Sequence, residues 1–199
     1  MSESRNLILA VTGASGAVYA AEMLRALDHD ARVEKVHFVV STSALRVLSE
    51  ELGLSGRTNL AEKLLGAPSA KIVSHGVGDI GASIASGSYP ISGMIVLPCS
   101  MGTLSGIANS TAGNLIERAA DVCLKERRPL ILCVRETPFN RIHLRNMLLA
   151  DEAGAVIYPA MPTLYNQPQT TTEMAQQFIN RVLAHIGLPQ PGAYQWKGD

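Results

Sequence analysis

The chain reads as a single-domain α/β fold, a doubly wound parallel sheet in three layers, and two observations carry that reading. Five apolar runs of strand length, at 7–11, 33–40, 93–98, 129–134 and 155–159, alternate with stretches of helical rhythm. They finish at Thr12, Ser41, Cys99, Arg135 and Ala160, and nearly every residue type suited to chemistry follows one of those endings. Parallel α/β sheets bind ligands beyond the carboxyl ends of their strands, so the site is expected there.

The first run, LILAV, stops at Thr12, and Gly13 and Gly16 bracket a tight turn. Val18, Ala21, Met23, Leu24 and Leu27 then recur at roughly helical spacing. VEKVHFVV at 33–40 predicts a second strand, and Ser43 is the expected N-cap of a helix over 44–52, with Glu51 near its end. Residues 53–92 are rich in Gly and Ser and hold one short β-like run at 71–73, so they read as irregular surface. His75, within them, reads as structural or exposed.

GMIVLP at 93–98 is a continuous apolar run suited to a sheet covered on both faces. It opens into Cys99, Ser100, Met101, Gly102 and Thr103. Residues 114–126 predict a helix with Leu115, Ala119, Val122 and Cys123 on one side, and PLILCV at 129–134 then delivers Arg135 and Glu136 to the same sheet edge. A helix over 141–153, a strand over 155–159, a polar loop holding Tyr165 and Asn166, and a helix over 172–186 carrying Arg181 complete the order. The tail, about 187–199, carries Tyr194 and Trp196 and is expected to dock on an assembly.

At 199 residues the length suits one well-buried core, and the formal net charge is zero. Without a basic run the chain offers no general nucleic-acid surface. Charged residues make up only 17% and mean hydropathy is +0.15, which points to apolar surface hidden between subunits. Cys99, Cys123 and Cys133 form no CxxC and have no His at ligand spacing, so neither disulfide nor zinc is expected, and the compartment is cytoplasmic. Arg5 followed by LILAV is broken at once by Thr12 to Gly16, too soon for a leader peptide or a membrane span.

Backbone amides and the Ser15 hydroxyl at the start of a helix would favour a phosphate, although a small-residue turn after a first strand also occurs where nothing binds. The turn reads GASG rather than GxGxxG, and hydroxyls follow the second strand where a dinucleotide site places an acid. A mononucleotide such as FMN fits better. Cys99 reads as a packing residue. Arg118 and Lys125, seven apart on one helix, read as a solvated stripe. Arg135 offers a phosphate clamp and Glu136 a proton acceptor.

Taken together, TGASGA, PCSMGTL, NLIERAADVCLKERRPLILCVRETPF, IHLRNM, GAVIYP and YNQPQT resemble the UbiX-type flavin prenyltransferases over residues 7–196. The resemblance implies a flavodoxin-like, Rossmann-like subunit that assembles into dodecamers. It implies transfer of the dimethylallyl group of dimethylallyl monophosphate to reduced FMN, the product passing to UbiD-type decarboxylases. By position it puts FMN on Gly13, Ala14, Ser15, Ser41, Ser100, Met101, Gly102, Thr103 and Arg135, with Arg118 near the flavin. It assigns the prenyl phosphate to Lys125, Arg135, Tyr165 and Arg181, and proton handling to Ser15, Glu51 and Glu136, with Ser15 orienting Glu136. Lys125 thereby becomes a catalytic candidate despite its solvated-stripe reading.

An ionising allylic phosphate needs its leaving oxygens stabilised, which two arginines, a lysine and a phenol supply. No DDxxD is present to hold Mg²⁺, so catalysis is expected to be metal-independent. The rival enzyme reading is a flavin-dependent decarboxylase. The related cysteine decarboxylases use a His near the first helix and a PxMNxxMW segment, where this chain has Val18 and Tyr19 and no such segment. The non-enzyme rival is a flavin-storing or flavin-sensing protein.

Overall fold

The computed structural model describes residues 5–191, 193 and 194. Strands β1 (Arg5–Val11), β2 (Val33–Val40), β3 (Ile72–His75), β4 (Gly93–Cys99), β5 (Leu130–Val134) and β6 (Val156–Ile157) form one sheet in the order β3-β2-β1-β4-β5-β6. Every neighbouring pair is parallel. Helices α1 (Ala17–His29), α2 (Thr42–Leu52), α3 (Leu60–Leu65), α4 (Met101–Ala108), α5 (Leu115–Lys125), α6 (Arg141–Glu152) and α7 (Thr171–His185) cover its two faces.

Two-residue alternation sorts each strand's side chains between the layers. Leu7, Leu9 and Val11 of β1 face α1, α2, α3 and α7, while Ile8 and Ala10 face α4, α5 and α6. Ile95 and Leu97 of β4 follow the first set, and Met94 and Val96 the second. Leu9, fully buried at the centre, would cost about 2–5 kcal/mol if cut back to Ala.

Several boundaries differ from the sequence reading. Among the described residues there are six strands rather than five, because the run at 71–73 belongs to β3, a half-buried edge strand paired with β2. The last strand is shorter than expected, Val156–Ile157. Ser41, not Ser43, caps α2: its Oγ accepts from the Ala44 amide at 3.1 Å, so the helix begins two residues earlier. α3 lies in the stretch read as irregular surface, and α4 in one to which the sequence reading assigned no element. α4 is rich in small residues of weak helix preference, but Ser100 caps it and Leu104 and Ile107 bury its inner side. After α7 the chain turns back on its own subunit, with the Gln190 amide donating to Asp30 and Arg32 donating to the Pro189 carbonyl. Trp196 lies outside the described residues.

Candidate active site

β1 and β4 are neighbours, yet the chain leaves β1 toward β2 and β3 on one side and leaves β4 toward β5 and β6 on the other. A crevice opens where the order reverses, beyond the carboxyl ends of these two strands. Thr12, 1% exposed, ties its lips together. Its hydroxyl donates to the Pro98 carbonyl at 2.8 Å and accepts from the Ser100 amide at 2.8 Å. Gly13 sits one residue on. A Cβ there would lie 2.3 Å from Ser43 Oγ and 2.5 Å from Ser43 Cβ, so only glycine admits the first turn of α2 this closely.

At the start of α1 the structure corrects the expected phosphate cradle. Glu51, from the end of α2, accepts from the Gly16 amide at 3.0 Å and the Ala17 amide at 2.7 Å. An internal carboxylate thus meets the donors and the positive end of the helix dipole. Burial pushes the Glu51 carboxyl up, but hydrogen bonds from Ser15, Ala17 and Gly16, with the nearby charge of Arg135, bring it below its ordinary value. Glu51 is therefore ionised at neutral pH and suited to accept a proton rather than give one. Ser15 engages Glu51, not Glu136 as expected, because α2 brings Glu51 to the turn. One Glu136 oxygen instead accepts from the Thr137 amide at 3.0 Å.

The starts of α2 and α4 remain open to a ligand. At α2, Ser41 and Ser43 hydroxyls stand 3.1 Å apart, and Arg57 donates to the Val40 carbonyl at 2.7 Å and to the Thr42 hydroxyl at 3.1 Å. At α4, Ser100 Oγ serves the Thr103 amide and donates to the Thr103 hydroxyl at 3.2 Å. The Met101 and Gly102 amides precede any intrahelical acceptor, and no atom lies within 4 Å of a Cβ built on Gly102. The Arg135 amide donates to the Cys99 carbonyl at 3.1 Å, which fixes Arg135 at the end of the adjoining strand. Open amides, hydroxyls and one guanidinium fit FMN: they match a phosphate and the polar edge of a flavin ring.

The other expected ligands stand elsewhere in the subunit. Lys125 ends α5 just before β5 begins, at the amino edge of the sheet opposite Gly13, where it pairs with Glu126 beside Gly87. Arg118, on the same helix, donates to the Ala85 carbonyl at 3.2 Å and to Asp121 at 2.9 Å. Tyr165 and Arg181 line a separate cavity between the loop after β6 and α7. One subunit therefore gathers the flavin-type residues and Arg135, but not the rest of the phosphate set.

Thr12 and Arg57 are site-shaping residues that the sequence reading passed over. An Arg standing alone in the Gly- and Ser-rich stretch after α2 was the available signal for the second. Cys99 is buried and its thiol is pushed up to about 12 by that burial, which keeps it from acting as a nucleophile. His75 pairs with buried His37, Nε2 to Nδ1 at 2.9 Å, a structural role. Among the described residues no group of three or more His, Cys, Asp or Glu side chains is placed to hold a metal ion. Nor is any helix among them long and apolar enough to cross a membrane.

A doubly wound parallel sheet with a hydroxyl- and amide-lined crevice at its switch point suits a mononucleotide, and the family profile described as Flavoprotein matches residues 1–187, which makes the chain a flavoprotein. Flavin prenyltransferase UbiX of Salmonella typhimurium is 46% identical over 196 residues, spanning 98% of this chain and 99% of that protein. The solved complex of AnUbiX (PadA1) with FMN and dimethylallyl pyrophosphate superposes with a TM-score of 0.87 at 37% identity, over 98% of this chain and 99% of that one. The dodecameric FMN-dependent UbiX-like decarboxylase from Escherichia coli O157:H7 also gives 0.87, at 40% identity, over 97% of this chain and 100% of that one. The chain belongs to the UbiX-type flavin prenyltransferase family.

Proposed function

We propose that this protein joins the dimethylallyl group of dimethylallyl monophosphate to reduced FMN, in the cytoplasm and without a metal, making the prenylated flavin that UbiD-type decarboxylases use. The carrying observation is the switch-point crevice, where Gly13, Ser41, Ser100 and Arg135 follow the carboxyl ends of β1, β2, β4 and β5. The AnUbiX complex with FMN and dimethylallyl pyrophosphate supports the reading that one protein of this kind takes both a flavin and a dimethylallyl donor.

Reduced FMN supplies the nucleophilic N5 and the ring carbon C6 that become bonded to the prenyl group. The chain's residues do the rest. Amides at the start of α4, with Ser100 and Thr103, hold the flavin phosphate, and Ser41 and Ser43 serve its polar edge. Arg135 serves the prenyl phosphate, and its charge adds to the hydrogen bonds from Ser15, Ala17 and Gly16 that keep Glu51 ionised. Glu136, exposed at the end of β5, takes the proton released at N5 and returns it to the middle allylic carbon as C6 bonds, while Ser15 and Glu51 take the C6 proton and pass it to the departing phosphate.

Lys125, Tyr165 and Arg181 serve the departing phosphate when neighbouring subunits bring them to the crevice. Exposed apolar side chains support such an assembly, among them Ile142 and Leu148 of α6, and Met161 and Leu164 of the following loop. A dodecamer, as in the Escherichia coli relative, is the proposed form.

Anaerobic incubation with reduced FMN and dimethylallyl monophosphate, followed by mass spectrometry of the extracted flavin, tests the proposal. The expected product is FMN heavier by one dimethylallyl group, with stoichiometric release of inorganic phosphate. Unaltered flavin and no phosphate release would leave a flavin-binding protein without this activity.

A further inference from the structure

The cavity that holds Tyr165 and Arg181 has a volume of ≈ 110 Å³ and is walled by the 163–166 loop, one side of α7 and the chain after α7. Two of its lining groups, Asn166 Oδ1 and Gln177 Oε1, are shut off from solvent and accept no hydrogen bond. An unsatisfied buried carboxamide oxygen costs on the order of 1–3 kcal/mol and is seldom left without a use. Gln177 and Arg181 are four apart on α7 and so share one side of the helix, and Asn166 adjoins Tyr165 on the facing loop. None of the ion pairs among the described residues includes Arg181.

A guanidinium carries five N–H donors in a rigid fork, and a phosphate gripped in bidentate fashion uses two of them. The remainder need acceptors if the fork is to be aimed. The same cavity wall holds two unpartnered acceptors and one such fork.

We propose that Asn166 and Gln177 are positioning residues for Arg181, their carboxamide oxygens accepting guanidinium N–H donors and turning the free edge of the fork toward the prenyl phosphate. This rests on the reading of Arg181 as a prenyl-phosphate ligand. The two amides take no part in bond making. They hold the fork in the orientation the ligand requires, so that less freedom is lost on binding.

The test uses the full chain in its native assembly with Asn166→Leu and Gln177→Leu, which remove the acceptor at similar size. Asn166→Asp and Gln177→Glu, which keep an oxygen there, serve as rescue variants. Each Leu variant is expected to raise KM for dimethylallyl monophosphate about tenfold with kcat within about twofold, and the acidic variants to restore KM. In an Arg181→Ala background the Leu substitutions should change nothing further.

An unchanged KM in both Leu variants overturns the proposal, as does an equal rise with and without Arg181, the pattern expected if the amides only hold trapped water. Affinity for inorganic phosphate, measured by calorimetry on the same proteins, gives a readout independent of turnover. Wild type that binds phosphate but transfers no prenyl group would refute the assigned reaction. Loss of phosphate affinity in the Leu variants would still sustain the positioning role, and its retention would end it. Should a Leu variant fail to assemble, Asn166→Ser and Gln177→Met carry the same comparison.

Discussion

Replacing Glu51 by Ala probes the carboxylate that caps α1 from 34 residues beyond Ala17. The change strips two first-turn amides, those of Gly16 and Ala17, of an acceptor. Loss of a capping side chain costs about 1 kcal/mol, and the interaction of its charge with the helix dipole adds about 0.3–1 kcal/mol. Glu51 is exposed on its outer side, so water recovers part of both, and a net loss of about 1 kcal/mol is expected. For a chain of this size that lowers Tm by about 2–4 °C.

The pH dependence fixes the sign independently. Because the folded carboxyl titrates below its unfolded value, the unfolded chain takes up the proton first as pH falls. The stabilisation is complete above the ordinary glutamate range of about 4.3 and is lost as pH drops through the folded value. Thermal unfolding of wild type and Glu51→Ala should therefore give Tm values that differ at pH 7 and draw together as the pH is lowered through the acid range. Equal Tm values at pH 7, or a gap that does not shrink as the pH falls, would refute the account of Glu51 as an ionised cap.

Thr12→Val should cost about 1–3 kcal/mol in denaturant unfolding, since it leaves the half-buried Ser100 amide without its acceptor, and Thr12→Ser should recover most of it. Gly13→Ala forces a methyl into Ser43 and should weaken FMN binding by at least tenfold in a fluorescence titration while the sheet stays folded. Buried His37, held down to about 4 by burial and by the charges of His75 and Lys35, makes the fold lose stability as pH falls from about 6.5 to about 4, up to about 3 kcal/mol. Replacing His37 by Gln should flatten the Tm profile across that window. Glu136→Gln should bind FMN normally yet stall prenyl transfer, and wild-type turnover would remove Glu136 from the proton path.

What was legible in the chain was whatever local pattern decides. The apolar runs at 93–98 and 129–134 are buried on both faces, as continuous Val, Ile and Leu imply, and their ends carry Ser100 and Arg135 to one edge. What escaped depends on distance. Glu51 is a proton-handling candidate by resemblance alone, because nothing near it in sequence reveals its bonds to the amides at Gly16 and Ala17. α4 was missed because glycines at 102 and 106 weaken its helical preference, while the burial of Leu104 and Ile107 that stabilises it is a property of the assembled layers. Gly106 even has a purpose there: a Cβ would collide with the Glu117 carboxylate at 2.5 Å. Ser41 and Ser43 were equally good caps on composition, and only the backbone path out of β2 chose between them.

The stitch made by Thr12 carries a consequence for ligand entry. One hydroxyl joins two strands whose continuations run to opposite flanks of the molecule, so neither flank can swing outward without breaking it. The aperture is thereby set before anything arrives.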